Sequence, residues 1–544
     1  MPLVGVCTAG SDQRPPRSIP GQGVAGSEGA GAGAVALTLA GPAWTATGKS
    51  PIDAGRFPLG VEAATLSNAG RLVPGINSGT AHARYYVLHA LAAAHDPGRP
   101  GEPGSLDRAR DRVRRAEVVM AAVSLRHEEL AGAEHHAGIG FRDPHGARVI
   151  RPAMEHGPLD IADLAARYSQ QPGGFLAVYR GAEITMGLLD GAGGTLAPGP
   201  VRLPQGAADE LEAVLAVAAQ SHVSLAELDG LRPAGCICTV HGGTGGILLQ
   251  GVLFGGPGAP PAPELVRRAR ARNMRSARLL LRAMEGQPVS VSPDQAMETL
   301  CCFSPLEAVG AEEDQQQWAL RWRGALLRNA SVTAWRWLWS WLTDQLRARP
   351  RSSAELGNAL AAALVAAAGS DGPARTALLG SLPPHFVSGE LVDAESEVLY
   401  PRGHPSEEPL DYLRCLVLGA LRVSDLDGPA RTAFCESAEL GPVWMRKWLD
   451  GLENEPLSAV GRSLTGVLLR KAEELSRQRA RWEQGRLRLP TRLRQVGDIL
   501  DLAGEEGSTV AGLRLVRLAQ ILGELDVLTV SGEAFCKGAA GQGW

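Results

Sequence analysis

The chain has 544 residues, more than one hydrophobic core usually serves, so about two to four domains are expected. Its 54 basic and 58 acidic residues nearly cancel to a net charge of −4, which argues against a surface built as a whole to coat nucleic acid or membrane and leaves room for a local basic patch. The longest nearly apolar run, Ala325 to Leu346, carries Arg328, Asn329, Arg336 and Asp344, each costly in lipid, and the N-terminus lacks the basic-then-apolar pattern of a signal peptide, so the expectation is a cytoplasmic protein with no membrane partner.

In chain order, residues 1–43 are rich in Gly, Ala, Ser and Pro and bury too little apolar surface to offset their ordering entropy, so they are expected to be a disordered tail. A mixed α/β domain is expected over 44–262. In it, Pro74-Gly75 marks a turn, and Thr80 stands where it could cap a helix carrying Val87, Leu88 and Leu91. A long helix over Leu106–Leu130 follows a Pro/Gly linker, Phe175–Tyr179 reads as a short strand, and Ala207–His222 as a helix. The Gly-rich run from Cys236 to Pro263 reads as a strand pair with a turn.

From 263 to 485 the periodicity predicts a helical domain with helices over Leu265–Met284, Trp318–Leu346, Ser353–Ala368, Leu410–Leu421, Val443–Leu452 and Leu457–Trp482. Trp335, Leu338, Trp339 and Leu342 form one stripe on the second of these, expected to be core. Residues 486–544 predict short helices over Arg492–Leu502 and Val510–Leu522 and a strand over Asp526–Val530, the order of a small winged-helix-like module. The fold class expected is mainly α with a minor β component, in several domains.

Few motifs carry chemistry. Gly48-Lys49-Ser50 lacks the earlier glycine a phosphate loop requires and is followed by Pro51. His127-Glu128-Glu129 fails the zinc-protease spacing because position 131 is alanine. Eight irregularly spaced cysteines do not suggest a disulfide framework. Cys236, Cys238 and His241 offer zinc its preferred thiolate and imidazole ligands within six residues, and ten of the twelve histidines, His127 among them, fall between His82 and His241 and could supply a fourth. No second ligand pair completes the set, so the cofactor expectation is none, with zinc as the alternative. Arg268, Arg272, Arg275 and Arg282 share one face of a predicted helix and could track phosphates, making nucleic acid a candidate partner. Yet only Lys49, Lys447, Lys471 and Lys537 are lysines, so the chain uses arginine by habit and a merely solvated face is the better explanation of the stripe.

Two segments carry a resemblance. Arg71-Leu-Val-Pro-Gly-Ile-Asn-Ser-Gly-Thr80, followed by Ala83-Arg84-Tyr85-Tyr86, and the C-terminal RLVRLAQILGELDVLTVSGEAF resemble stretches of large, mainly helical prokaryotic proteins found among antiphage defence genes. Pro74, Gly75, Thr80, Arg84 and Tyr85 are the matching motif residues. That family has no agreed activity, so the resemblance implies a setting: a non-enzymatic scaffold or sensor acting with other proteins of the same antiviral system. The alternatives are a zinc-dependent hydrolase or nuclease built on the His-rich N-terminal half, and a DNA-binding regulator.

Overall fold

The computed structural model describes residues 57–95, 102, 104–131, 143–169, 174–191, 196–241, 244–256, 258–380, 382, 408–452, 454–483, 486–504, 506, 512–542 and 544. The expected tail over 1–43, Trp44 and the Gly48-Lys49-Ser50 segment lie outside them.

The described fold is mainly α with a minor β component. Its longest element is the 32-residue helix Glu313–Asp344 (α12, about 48 Å at 1.5 Å per residue), and the tryptophan stripe explains its position. Trp322, Trp335 and Trp339 are sealed from solvent, with Trp318, Leu338 and Leu342 also buried. Their indole nitrogens need partners in a dry interior. Trp318 and Trp322 both donate to Ser276 Oγ (2.9 and 3.1 Å) and Trp335 donates to the Leu440 carbonyl (2.9 Å). Around α12 pack Glu62–Leu72 (α1), Glu264–Met284 (α10), Pro293–Cys302 (α11), Pro409–Arg422 (α15) and Gly428–Phe434 (α16).

A second helical layer pairs Ser353–Ala368 (α13) with Leu457–Gln478 (α18). The first is opened by a reciprocal capping box between Ser352 and Glu355. The two backbones approach so closely that a Cβ on Gly461 would lie 2.7 Å from the Ala361 backbone. In the N-terminal part the helix Ser105–Ala131 (α3) is the hub. Arg84–His95 (α2), Ala147–Met154 (α4), Ile161–Arg167 (α5), Gln205–Ala218 (α7) and Leu225–Gly235 (α8) pack on it.

Several expectations are corrected. Phe175–Tyr179 is not a strand: Leu176–Thr185 (α6) is a helix, because Tyr179, Ala182 and Glu183 fall on one face and are buried together. The Gly-rich run after Cys236 is a 3₁₀ turn, Ile237–Val240, followed by the helix Thr244–Phe254 (α9). Residues 44–262 are thus mainly helical where described; Leu159–Asp160 (β1) pairs with His222–Val223 (β2), and an isolated antiparallel bridge joins Leu189 and Pro198. The expected helix to Trp482 ends at Gln478, and Arg481–Glu483 (β4) pairs with Arg486–Arg488 (β5).

The C-terminal part also differs from the expected module. Arg492–Leu502 contains a hairpin, Leu493–Val496 (β6) with Ile499–Leu502 (β7), turning at Gly497-Asp498 with Gly497 at φ +61°. Strand β7 adds Arg351–Ser352 (β3) on its other edge. One helix, Leu515–Glu524 (α19), and the hairpin Leu528–Ser531 (β8) with Ala534–Lys537 (β9) follow. The β-hairpin occupies the place where a recognition-type helix pair would need its first helix. Nor does this region stand apart: one continuous apolar cluster extends from Leu59 to Phe535, across the boundaries expected at 262/263 and 485/486.

Among the described residues only Leu225–Phe254 has the length and hydropathy to cross a bilayer; it is divided between α8, the 3₁₀ turn and α9, and 60% of its apolar window is buried inside the protein.

Truncation of the stripe supplies a direct check on the core. Trp339→Ala removes a side chain that is 1% exposed, and the expected loss is about 3–5 kcal/mol in urea unfolding. A change below about 1 kcal/mol would mean that the stripe is not core.

Candidate functional site

Helix α2 is buried along nearly its whole length, yet it and the turn before it carry polar groups at His82, Tyr85 and His89, spaced i, i+3 and i+7 so that they share a face. Those groups form a closed polar cluster. His89 lies between two carboxylates: Nδ1 is 2.6 Å from Glu183 Oε1 and Nε2 is 2.8 Å from Glu117 Oε1, and all three side chains are fully buried. Glu117 also accepts the backbone N–H groups of Phe175 and Leu176 (3.0 Å each), so it holds the first turn of α6. His82 Nδ1 meets Glu524 Oε1 at 2.6 Å, and the Ala83 N–H donates to Glu524 Oε2 at 2.7 Å. Tyr179 Oη accepts the His82 N–H (2.9 Å) and donates to the His82 carbonyl (3.1 Å), with His145 Nε2 3.2 Å away. His145 stacks on Phe175 at 4.0 Å.

The electrostatics follow from burial. Desolvation alone would push the His89 imidazolium down; the Glu183 and Glu117 carboxylates outweigh it and lift the group to about 10. Burial raises both glutamates above the usual carboxylate range, opposed by His89. Burial, with the charges of His82 and His89, lowers His145 to about 2. Burial also raises the Tyr85 and Tyr179 phenols. At neutral pH His89 is therefore held as the imidazolium and His145 as the neutral imidazole.

The motif residues frame this cluster. Gly75 adopts φ +73°, a Cβ there would lie 2.3 Å from Met186 Sδ, and its carbonyl accepts the Tyr86 hydroxyl at 2.6 Å. Pro74 is buried just before it. Thr80 does not cap the helix, which starts four residues later. It closes a turn with Asn77, whose N–H donates to Thr80 Oγ1 at 3.0 Å. Tyr85 packs against His82, His89, His145 and Tyr179. Arg84 is buried and donates to the Ala234 carbonyl, tying α2 to the end of α8.

That end of α8 carries the cysteine pair. Cys236 is buried at the C-cap, and the following 3₁₀ turn presents Cys238 to α3, where Cys238 Sγ lies 3.6 Å from His127 Nδ1. His127, Cys236 and Cys238 offer three ligand atoms within 4.8 Å of one another. A tetrahedral zinc with bonds of roughly 2.3 Å to sulfur and 2.0 Å to nitrogen would set S and N roughly 3.5 Å apart, so these residues fit the metal. The thiol of Cys238 is raised by its hydrogen bond with Cys236 and by burial. His241, expected in this set, turns away: it is exposed, and its Nε2 lies 3.7 Å from Asp526 Oδ1. His156 is exposed and hydrogen-bonded to the Pro152 carbonyl; His135 and His136 lie outside the described residues.

The arginine stripe of α10 does not form one track. Arg268 is paired with Glu264 and Arg275 with Asp314, and Arg282 donates to the Ala308 carbonyl. Arg268 and Arg272 line one depression, Arg272 and Arg275 a second, and Arg282 a third.

No family model, no curated protein and no solved structure matches this chain. Sequence reading missed His89, Glu117, Tyr179, Glu183 and Glu524. The available signal was a polar stripe on the otherwise apolar RYYVLHALAAA helix, which implies buried partners.

The triad fixes a pH dependence. His89 is raised in the folded chain, so its stabilisation is complete below its ordinary value of 6.5 and is lost as pH rises through about 10. The raised glutamates act with the same sign from about 4.5 upward. The melting temperature is therefore expected to fall between pH 7 and 10, and to fall less in the triple variant His89→Gln, Glu117→Gln, Glu183→Gln, which keeps hydrogen-bonding groups and has nothing there to titrate. Equal slopes in the two proteins would dismiss the triad as the cause.

Proposed function

We propose that the chain is a non-enzymatic helical scaffold or sensor subunit, acting in the cytoplasm with other proteins of a bacterial antiviral system. One observation carries the reading. The side chains best placed for acid–base chemistry, His82, His89, Glu117, Tyr179, Glu183 and Glu524, lie at essentially zero exposure, and each is bonded to another of the set or to backbone. A catalytic base must reach a substrate proton within hydrogen-bond distance; these groups reach helix ends and each other. Co-expression with the products of neighbouring genes, followed by gel filtration and crosslinking, should give a complex of fixed stoichiometry. The purified chain should not turn over ester, peptide or phosphodiester substrates with or without added zinc. Turnover abolished by Tyr179→Phe in a protein of unchanged melting temperature would refute the reading.

A zinc-dependent hydrolase is the second reading, favoured by the 3.6 Å approach of Cys238 to His127 beside Cys236. Those three residues would hold the ion, and a zinc with three protein ligands keeps a position for water, which it acidifies. Elemental analysis after gel filtration separates the two. The scaffold reading expects no stoichiometric zinc. About one zinc per chain, lost in Cys238→Ser and in His127→Ala, would promote the hydrolase.

A further inference from the structure

A concavity of about 220 Å³ opens where α1, α10, α12 and α16 meet, and four guanidinium groups line it: Arg71, Arg272, Arg275 and Arg321. Four like charges around one small space repel, so their signs must be accounted for. Arg71 is paired with Glu436 and Arg275 with Asp314, each at 2.6 Å. Arg272 and Arg321 make no ion pair among the described residues, which leaves two positive charges uncompensated at the mouth of the same concavity.

The wall beneath them is rigid. Trp318 carries the Arg275 guanidinium at 5.6 Å and that of Arg321 at 5.7 Å from its ring centroid. Its indole N–H is pinned to Ser276 Oγ, which in turn donates to the Leu72 carbonyl at 2.6 Å. On the opposite wall the Asn68 amide donates to the Ala433 carbonyl at 2.9 Å, fixing α1 against α16. Guanidinium planes held over an aromatic face lose less freedom when an anion arrives, and their forked donors match the oxygens of a phosphate. The volume lies below the roughly 300–1,000 Å³ typical of whole small-molecule sites, which suits a phosphoryl or pyrophosphoryl group and not a base with its sugar.

We propose that this concavity is an anion site for a small phosphate-class polyanion, either free or as the terminal phosphates of a larger molecule, with Arg272 and Arg321 as its principal ligands. The proposal concerns the isolated chain and stands whether or not the scaffold reading does. A continuous nucleic-acid track is disfavoured, because Arg268 and Arg275 on either side of Arg272 are paired with Glu264 and Asp314 and Arg282 lines a separate depression.

Titration calorimetry on the full chain at low salt tests it, with pyrophosphate, inorganic phosphate, ATP without magnesium, and a short duplex DNA as probes. Pyrophosphate is expected to bind one per chain. Arg272→Gln and Arg321→Gln, both at exposed positions, should each weaken it by roughly ten-fold or more, the scale of one lost charge-assisted hydrogen bond. Arg278→Gln, which lines a separate depression, should leave binding unchanged, and melting curves check that the variants fold. Inorganic phosphate competing with pyrophosphate supports a free anion as ligand; ATP competing more strongly supports the phosphates of a nucleotide. No pyrophosphate binding, or binding indifferent to Arg272→Gln and Arg321→Gln, overturns the proposal. Duplex DNA binding lost in these variants without any pyrophosphate binding replaces it with a nucleic-acid surface.

Discussion

An imidazolium with no access to water persists only where opposite charge surrounds it, because moving such an ion out of water costs several kcal/mol even after the protein relaxes. His89 meets that condition through Glu117 and Glu183, and the geometry of the N-terminal helices follows from it. Glu117 sits on α3, Glu183 on α6 and His89 on α2, so the three helices cannot shift against one another without uncovering a charge. Glu117 adds the first N–H groups of α6 to the same carboxylate. Apolar packing would tolerate small slides between these helices; a bridged ion does not.

The second polar joint works across the chain. Glu524 leaves the C-terminal helix α19 to meet both His82 Nδ1 and the Ala83 N–H, and Arg514 and Arg517 donate to the Ile76 and Ser78 carbonyls nearby. The last hairpin is stitched to the turn after α10 by backbone bonds between Gly286 and Phe535 and between Phe535 and Gln287. These links explain why one apolar cluster embraces regions that composition and length would divide. A third buried ionic group, Arg336 with Glu62 at 3.0 Å and Glu506 at 3.6 Å, repeats the device on α12.

Local signals in the sequence were readable where one element decides its own structure. Ser353–Ala368 has the predicted limits because Ser352 and Glu355 form a capping box and Gly369 ends the helix at φ +75°. The tryptophan stripe was readable because its period matches a helix. What needed tertiary knowledge was lost. Phe175–Tyr179 looks like a strand until Glu117 is seen to cap the helix start. Leu493–Leu502 has enough helix formers to mislead, and the Gly497-Asp498 turn between two short apolar runs was the stronger indicator. Cys236 and Cys238 were recognisable as candidate ligands, with His127 one of several histidines that could join them; which one does so could not be read from the sequence, since His127 lies 111 residues from Cys238. The buried Glu524 offered no sequence signal toward His82.

The bond between His82 and Glu524 joins residues 442 positions apart. A chain made from its N-terminus at roughly 5–20 residues per second exposes the His82 turn some 20–90 s before Glu524 exists. Over that interval the Ala83 amide and the His82 ring have no carboxylate to meet, and the N-terminal helices carry an unfinished polar face. Closure of that face thus waits for the segment that carries Glu524: until α19 has been made and docked, the helices that precede it by more than 400 residues lack the carboxylate that satisfies the His82 turn.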